Sequence, residues 1–146
     1  MKTINFYSTT STYGAFSNFV RYPIRLDNKL WPTSEHYYQS QKFIDPTYQE
    51  KIRKAGTPKL AATYGRDPDV QLREDWEQVK NDVILKVLLA KFTQHEKLRL
   101  LLISTGDSIL CEHTTNDKYW GDGGNGSGAN MLGKLLMQVR DILTAP

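Results

Sequence analysis

The apolar spacing between Arg73 and Phe92 constrains this chain most. Trp76, Val79, Val83, Ile84, Val87, Leu88 and Leu89 recur with helical periodicity, which predicts one long amphipathic helix. Such a helix buries its stripe only against other elements, and the flanking sequence supplies more helices. Thr33 or Ser34 can cap a helix to about Phe43, with Glu35 in its first turn. Asp45-Pro46 begins a second, through Tyr48, Ile52 and Ala55, and Thr57-Pro58 begins a third that ends near Gly65. His95 to Ile103 reads as another. The last is capped by Asn130 and carries Leu132, Leu135, Leu136, Val139 and Leu143 on a broad apolar face. Val83, Val87, Leu88, Leu132, Leu136 and Val139 are the expected core.

Strand signals are few. Asn5-Phe6-Tyr7 opens a short extended segment, and Ile109 to Glu112 reads as a strand. Ile24-Arg25-Leu26 and Leu30-Trp31 flank Asp27-Asn28-Lys29, the pattern of a small hairpin. The segments Tyr13 to Phe19 and Trp120 to Gly128 read as loops. The expected fold is mainly α with a minor β-sheet or hairpin near the N-terminus. Its 146 residues suit one domain, 1–146, with a single core.

Composition removes several function classes. The net charge of +3 comes with no long run of like charges, so no footprint for long nucleic acid is evident. The single cysteine, Cys111, allows no internal disulfide and fits a reducing compartment as a packed thiol. No signal-peptide pattern and no bilayer-length apolar stretch is present, so a cytoplasmic protein without a membrane partner is expected. No Cys/His cluster has metal-ligand spacing, and the residues call for no metal and no cofactor.

Polar chemistry concentrates in three places. On a helix, Glu35, Gln39 and Lys42 stand at i, i+4 and i+7 and share one face. That face is either a polar site in a cleft or a solvated surface. Around a short polar connection, Arg66 and Arg73 can clamp a phosphate, while Trp76 is either a site residue or core. The loop Trp120-Gly121-Asp122-Gly123-Gly124-Asn125-Gly126-Ser127-Gly128 matches no phosphate-binding glycine motif. Its tryptophan can cover a base and its carboxylate can act on a sugar or a water. His36 reads as a core or cap-region residue, and His95 and His113 are isolated in sequence.

Taken together, these blocks resemble the YbiA/NADAR family. The resemblance rests on Asn5-Phe6-Tyr7, Phe16-Ser17-Asn18-Phe19, Trp31-Pro32-Thr33-Ser34-Glu35-His36-Tyr37-Tyr38-Gln39, Gln41-Lys42-Phe43, Gly65-Arg66, Arg73 with Asp75-Trp76, and Ala90-Lys91-Phe92. It continues in Asp117, Trp120-Gly121-Asp122-Gly123, and Gly128 with Asn130, Leu132 and Gly133, so it runs over nearly the whole chain. The resemblance implies a mainly helical fold and an N-glycosidase that splits ribose C1′ from an exocyclic amine nitrogen. The implied substrates are phosphoribosylamino-pyrimidines of early riboflavin synthesis, or ADP-ribose on guanine in nucleic acid. Glu35, Trp76 and Trp120 are the implied functional positions, and Asn18, Lys42, Arg66, Gly121 and Asp122 match family blocks.

For the cleavage that the resemblance implies, the residue types allow two mechanisms. Glu35 can stabilise a cationic ribose and activate water, with Asp122 orienting that water or holding ribose hydroxyls. Alternatively, the sugar aminal opens to an imine and Lys42 attacks C1′ as a Schiff-base nucleophile. A non-catalytic nucleotide or ADP-ribose binding module is the reading from another class. It would need the tryptophans and arginines but no carboxylate. If there is one site, Glu35, Lys42, Trp76, Trp120 and Asp122 should meet in one cleft.

Overall fold

The computed structural model describes residues 2–146. In chain order the elements are β1 (Thr3–Phe6), a 3-10 turn (Gly14–Phe16), β2 (Ile24–Leu26), β3 (Lys29–Trp31), α1 (Ser34–Ser40), α2 (Pro46–Arg53) and α3 (Pro58–Gly65). Then come α4 (Trp76–Gln94), α5 (Glu96–Ser104), β4 (Ile109–Glu112) and α6 (Met131–Thr144). The fold is mainly α with two small two-stranded sheets, as expected. The chain divides into two compact units. One holds the chain up to Val20 together with Phe92–Pro146, and the other is Arg21–Lys91.

In the Arg21–Lys91 unit the local signals act as written. β2 and β3 form an antiparallel hairpin in which Leu26 faces Lys29. Asp27 and Asn28 both take positive φ, 55° and 63°, which is the geometry a two-residue hairpin turn requires. Tyr37 donates its hydroxyl to Asp27 at 2.8 Å and Lys86 donates to the same carboxylate at 2.9 Å, pinning the turn. Asp45 and Thr57 cap α2 and α3, each followed by proline in the first turn. Ile24, Trp31, Tyr37 and Val87 form one core cluster, and Phe43, Ile52, Ala55 and Ala61 another. Of the expected core residues here, Val87 and Leu88 are buried and Val83 is only half-buried at the cluster edge.

The other unit is organised around a parallel pair that no local signal announces. β1 pairs with β4 from Thr3 opposite Ile109 to Phe6 opposite Glu112. Phe6 meets Phe16 edge-on at 5.7 Å, and Phe16 packs on Phe92 at 6.0 Å. Leu132, Leu136 and Val139 of α6 are buried as expected. Arg140 is buried too, and its guanidinium donates to Thr105 Oγ1 at 2.9 Å and to the Ser108 carbonyl at 2.8 Å.

Asn130 corrects one expectation. It stands at the start of α6 but makes no side-chain cap, because its own backbone is left-handed, at φ 50°. Its amide bridges β4 instead. Asn130 Oδ1 accepts from the Glu112 N–H at 3.0 Å, and its Nδ2 donates to the Leu110 carbonyl at 2.9 Å. Gly133, one turn on, lies so close to the Leu110 carbonyl that a Cβ would overlap it. Both residues therefore serve the seating of α6 on β4. Asn130→Gly keeps the left-handed backbone but strands two strand groups. Urea unfolding should show a loss of about 1–3 kcal/mol, whereas an unchanged midpoint would show the bridge to be dispensable.

Candidate functional site

α1 carries the densest polar chemistry, and every residue from Ser34 to Ser40 is buried. Thr33 caps it, accepting the His36 N–H at 3.2 Å. His36 then bonds Thr33 Oγ1 through Nδ1 at 2.8 Å and the Ala55 carbonyl through Nε2 at 2.9 Å. Burial holds this imidazole below its ordinary pKa, so it is a neutral structural group. The helix ends at Ser40, earlier than the sequence predicts. Gln41 to Phe43 follow as tightened turns, with Lys42 N–H on the Gln39 carbonyl and Phe43 N–H on Ser40.

The shared face of Glu35, Gln39 and Lys42 is therefore not a solvated surface. Glu35 and Gln39 are 8% and 4% exposed, and Gln39 Nε2 donates to Glu35 Oε2 at 2.7 Å. Lys42 lies just beyond the helix. Its ammonium donates to the Gly65 carbonyl at 3.4 Å and stands 5.4 Å from the centre of the Tyr38 ring. Burial pushes the Lys42 amine below its ordinary pKa; Glu35 opposes this, and the Arg66 and Lys80 charges add to it. One carboxylate thus shares its surroundings with three cations, an arrangement suited to an anionic ligand.

An open pocket of about 540 Å³ is lined by Lys42, Gly65, Arg66, Asp67, Val70 and Leu72, among others. A second, of about 530 Å³, shares Gln71 and Leu72 with it and includes Ile44, Asp45 and Arg73. Arg66 and Arg73 thus line adjoining pockets. Arg73 is also committed to Asp75 by two hydrogen bonds, at 2.6 and 3.0 Å. Its backbone N–H reaches the Lys42 carbonyl at 2.8 Å, tying this loop to the end of α1. Trp76 is buried and packs on Tyr38 at 5.3 Å. Lys91, in the same unit, is fully buried, and burial pulls its amine down to about 7.

Asn18, Trp120, Gly121 and Asp122 belong to the other unit. Asn18 is half-buried just after the 3-10 turn. Asp117 Oδ1 accepts the N–H groups of both Tyr119 and Trp120 at 2.8 Å, and the two rings meet edge-on at 4.8 Å. Trp120 is half-buried. Gly121 is buried where a Cβ would press on Thr114 and on the Glu112 and Asp117 carbonyls. Asp122 is buried and accepts from His113 Nδ1 at 2.7 Å, Gly124 N–H at 2.8 Å, Thr114 N–H at 3.0 Å and the Cys111 thiol at 3.6 Å. Sequence spacing gave His113 no role, because its partner lies across a loop. Burial and the Asp122 charge push the Cys111 thiol up to about 11, so it is an unreactive thiol. Among the described residues no group of three or more His, Cys, Asp or Glu side chains forms a metal site, and no helix is long and apolar enough to cross a membrane.

Residues 5–144 match the NADAR domain. The chain is 56% identical over 140 residues to N-glycosidase YbiA of Escherichia coli, covering 96% of this chain and 88% of that one. The NMR structure of E. coli YbiA superposes with a TM-score of 0.91 over 97% of this chain and 84% of that chain. A riboflavin biosynthesis protein of Vibrio vulnificus is 40% identical over 96% of this chain, which spans 38% of that longer protein.

The bonds to Asp122 set its pH response. The His113 ring, then the Gly124 N–H, hold its carboxyl below the ordinary range against the opposing effect of burial, and Thr114 adds to this. A depressed carboxylate stabilises the fold fully above its unfolded-chain value of about 3.9 and loses that contribution as pH falls below it. Asp122→Asn should therefore lower Tm at neutral pH, with a gap that narrows below pH ~4. Thermal unfolding at pH 7 and pH 3 measures this; an equal gap at both would contradict it.

Proposed function

Because the chain belongs to the NADAR domain family, as a hydrolase of N-glycosyl compounds, we propose that it cleaves the ribose C1′–N bond of a phosphorylated ribosylamine. The observation that carries this is the buried Glu35 carboxylate beside Lys42 and the basic pocket that Lys42 and Arg66 line. The cations take the 5′ phosphate. The carboxylate faces the positive charge that develops on the ribose as the bond breaks. Water oxygen bonds to C1′, and the C1′–N electron pair leaves on nitrogen. Of the water protons, one stays on the new hydroxyl and the other reaches the departing amine by way of Glu35. Ribose phosphate and a free amine result, with no change of oxidation state.

Phosphoribosylamino-pyrimidines of riboflavin synthesis are the first substrate class, supported by the name of the Vibrio relative. ADP-ribosyl guanine in nucleic acid presents the same reacting unit, and the adjoining pocket at Gln71 and Leu72 has room for its diphosphate. Trp76 would act as a wall behind Tyr38. Asp122, already engaged by four donors, would shape the loop that presents Trp120 and Gly121 rather than exchange protons.

The lowered pKa of Lys42 favours a second mechanism in the same pocket. A larger neutral fraction of this amine can attack the ring-opened imine at C1′, expelling the base amine and leaving a lysine Schiff base that water hydrolyses.

Glu35→Gln keeps size and hydrogen bonding but removes the charge. On either substrate it should lower turnover on the order of 10² to 10⁴ with ligand binding retained. Wild-type turnover would remove Glu35 from the reaction and favour a binding module. Lys42→Ala separates the mechanisms: on the direct route it mainly weakens binding. On the imine route it abolishes turnover, and borohydride traps a ribose adduct on the wild type alone.

A further inference from the structure

We propose that Gln39 is a positioning residue for Glu35, kept at a cost to the fold. The proposal rests on the reading of Glu35 as the acting carboxylate. Gln39 Nε2 donates to Glu35 Oε2 at 2.7 Å, one helical turn away on α1. Its other amide atom, Oε1, is buried with no hydrogen-bond partner. A buried acceptor without a partner is a net penalty, and a side chain serving only packing would not carry one. Turning the amide over gives no relief, since it would set Oε1 against the Glu35 carboxylate. The orientation is therefore fixed by the charge it serves.

A second element is shaped around the same amide. Gly65, at the end of α3, abuts Gln39, and a Cβ there would overlap Oε1 and lie 2.7 Å from Cδ. Any larger residue would drive the amide out of line with Glu35. The Gly65 carbonyl meanwhile receives Lys42. α1 and α3 thus cooperate to hold one carboxylate in one rotamer, and a carboxylate displaced by about 1 Å can lose on the order of 10² in rate.

The test replaces the amide with apolar side chains of similar size, Gln39→Leu and Gln39→Met, and measures Tm, and kcat and KM on a phosphoribosylamino-pyrimidine and on an ADP-ribosyl-guanine oligonucleotide, beside Glu35→Gln. Expected is a Tm close to that of the wild type, because removing the unpartnered Oε1 offsets the donor lost to Glu35. With it, kcat should fall on the order of 10- to 100-fold and KM stay within about twofold. A purely structural glutamine would instead show a lowered Tm with kcat preserved in the folded fraction. That result, wild-type kcat, or failure of both variants to fold would each overturn the proposal. If Glu35→Gln is itself fully active, the reading of Glu35 fails first. If Glu35→Gln is inactive while both Gln39 variants are normal, only the role of Gln39 fails.

Discussion

A helix buried at every position and built from Ser, Glu, His, Tyr, Gln and Ser must find internal partners for its polar groups, and α1 is such a helix. Thr33 and the Ala55 carbonyl take up His36, the Tyr37 carbonyl takes the Ser40 hydroxyl, and Gln39 takes Glu35. Apart from Gln39 Oε1, the surrounding elements of this unit answer that requirement. α2 and its following turn bring Ala55, α3 brings Gly65, and the hairpin brings Asp27 to the Tyr37 hydroxyl. Each of these contacts fixes α1, and through α1 the orientation of Glu35. On the proposed reading, a carboxylate held this way would meet developing positive charge without reorganising first, the condition for electrostatic catalysis.

The glycine-rich loop reaches rigidity by another route. It has no regular structure, yet Asp117 and Asp122 gather its backbone N–H groups onto their carboxylates. Gly123, Gly124 and Gly126 supply the positive φ values, 72°, 90° and 86°, that such a wrapped path needs. What reads in sequence as a flexible stretch is a loop organised around two buried or half-buried acids. Its carboxylates act mainly on the loop itself.

The legible features were those encoded within a few residues. Asp27-Asn28 specifies its turn, Thr33, Asp45 and Thr57 their caps, and Glu35 and Gln39 their i, i+4 contact. Features that depend on distant chain were not legible. Nothing near Thr3 announces a parallel partner at Ile109, and nothing near Asn130 announces that its amide will bridge β4 rather than cap α6. The pairing of His113 with Asp122 and of Arg73 with Asp75 had the same difficulty at shorter range. Residue type set the expectation there, and three-dimensional neighbours decided how each side chain was used. Burial was the other blind spot. A Glu, Gln, Lys face fits a wet surface and a dry cleft equally well until its packing is known.

Bond cleavage at ribose C1′ leaves its own products, and their analysis is the decisive measurement. Wild-type protein is incubated with a phosphoribosylamino-pyrimidine in one tube and an ADP-ribosyl-guanine oligonucleotide in another, and released sugar phosphate is followed against released amine. Cleavage at C1′ predicts equal amounts of free ribose phosphate, or ADP-ribose, and intact amine from at least one of them. Saturable binding of both with no release from either would contradict it.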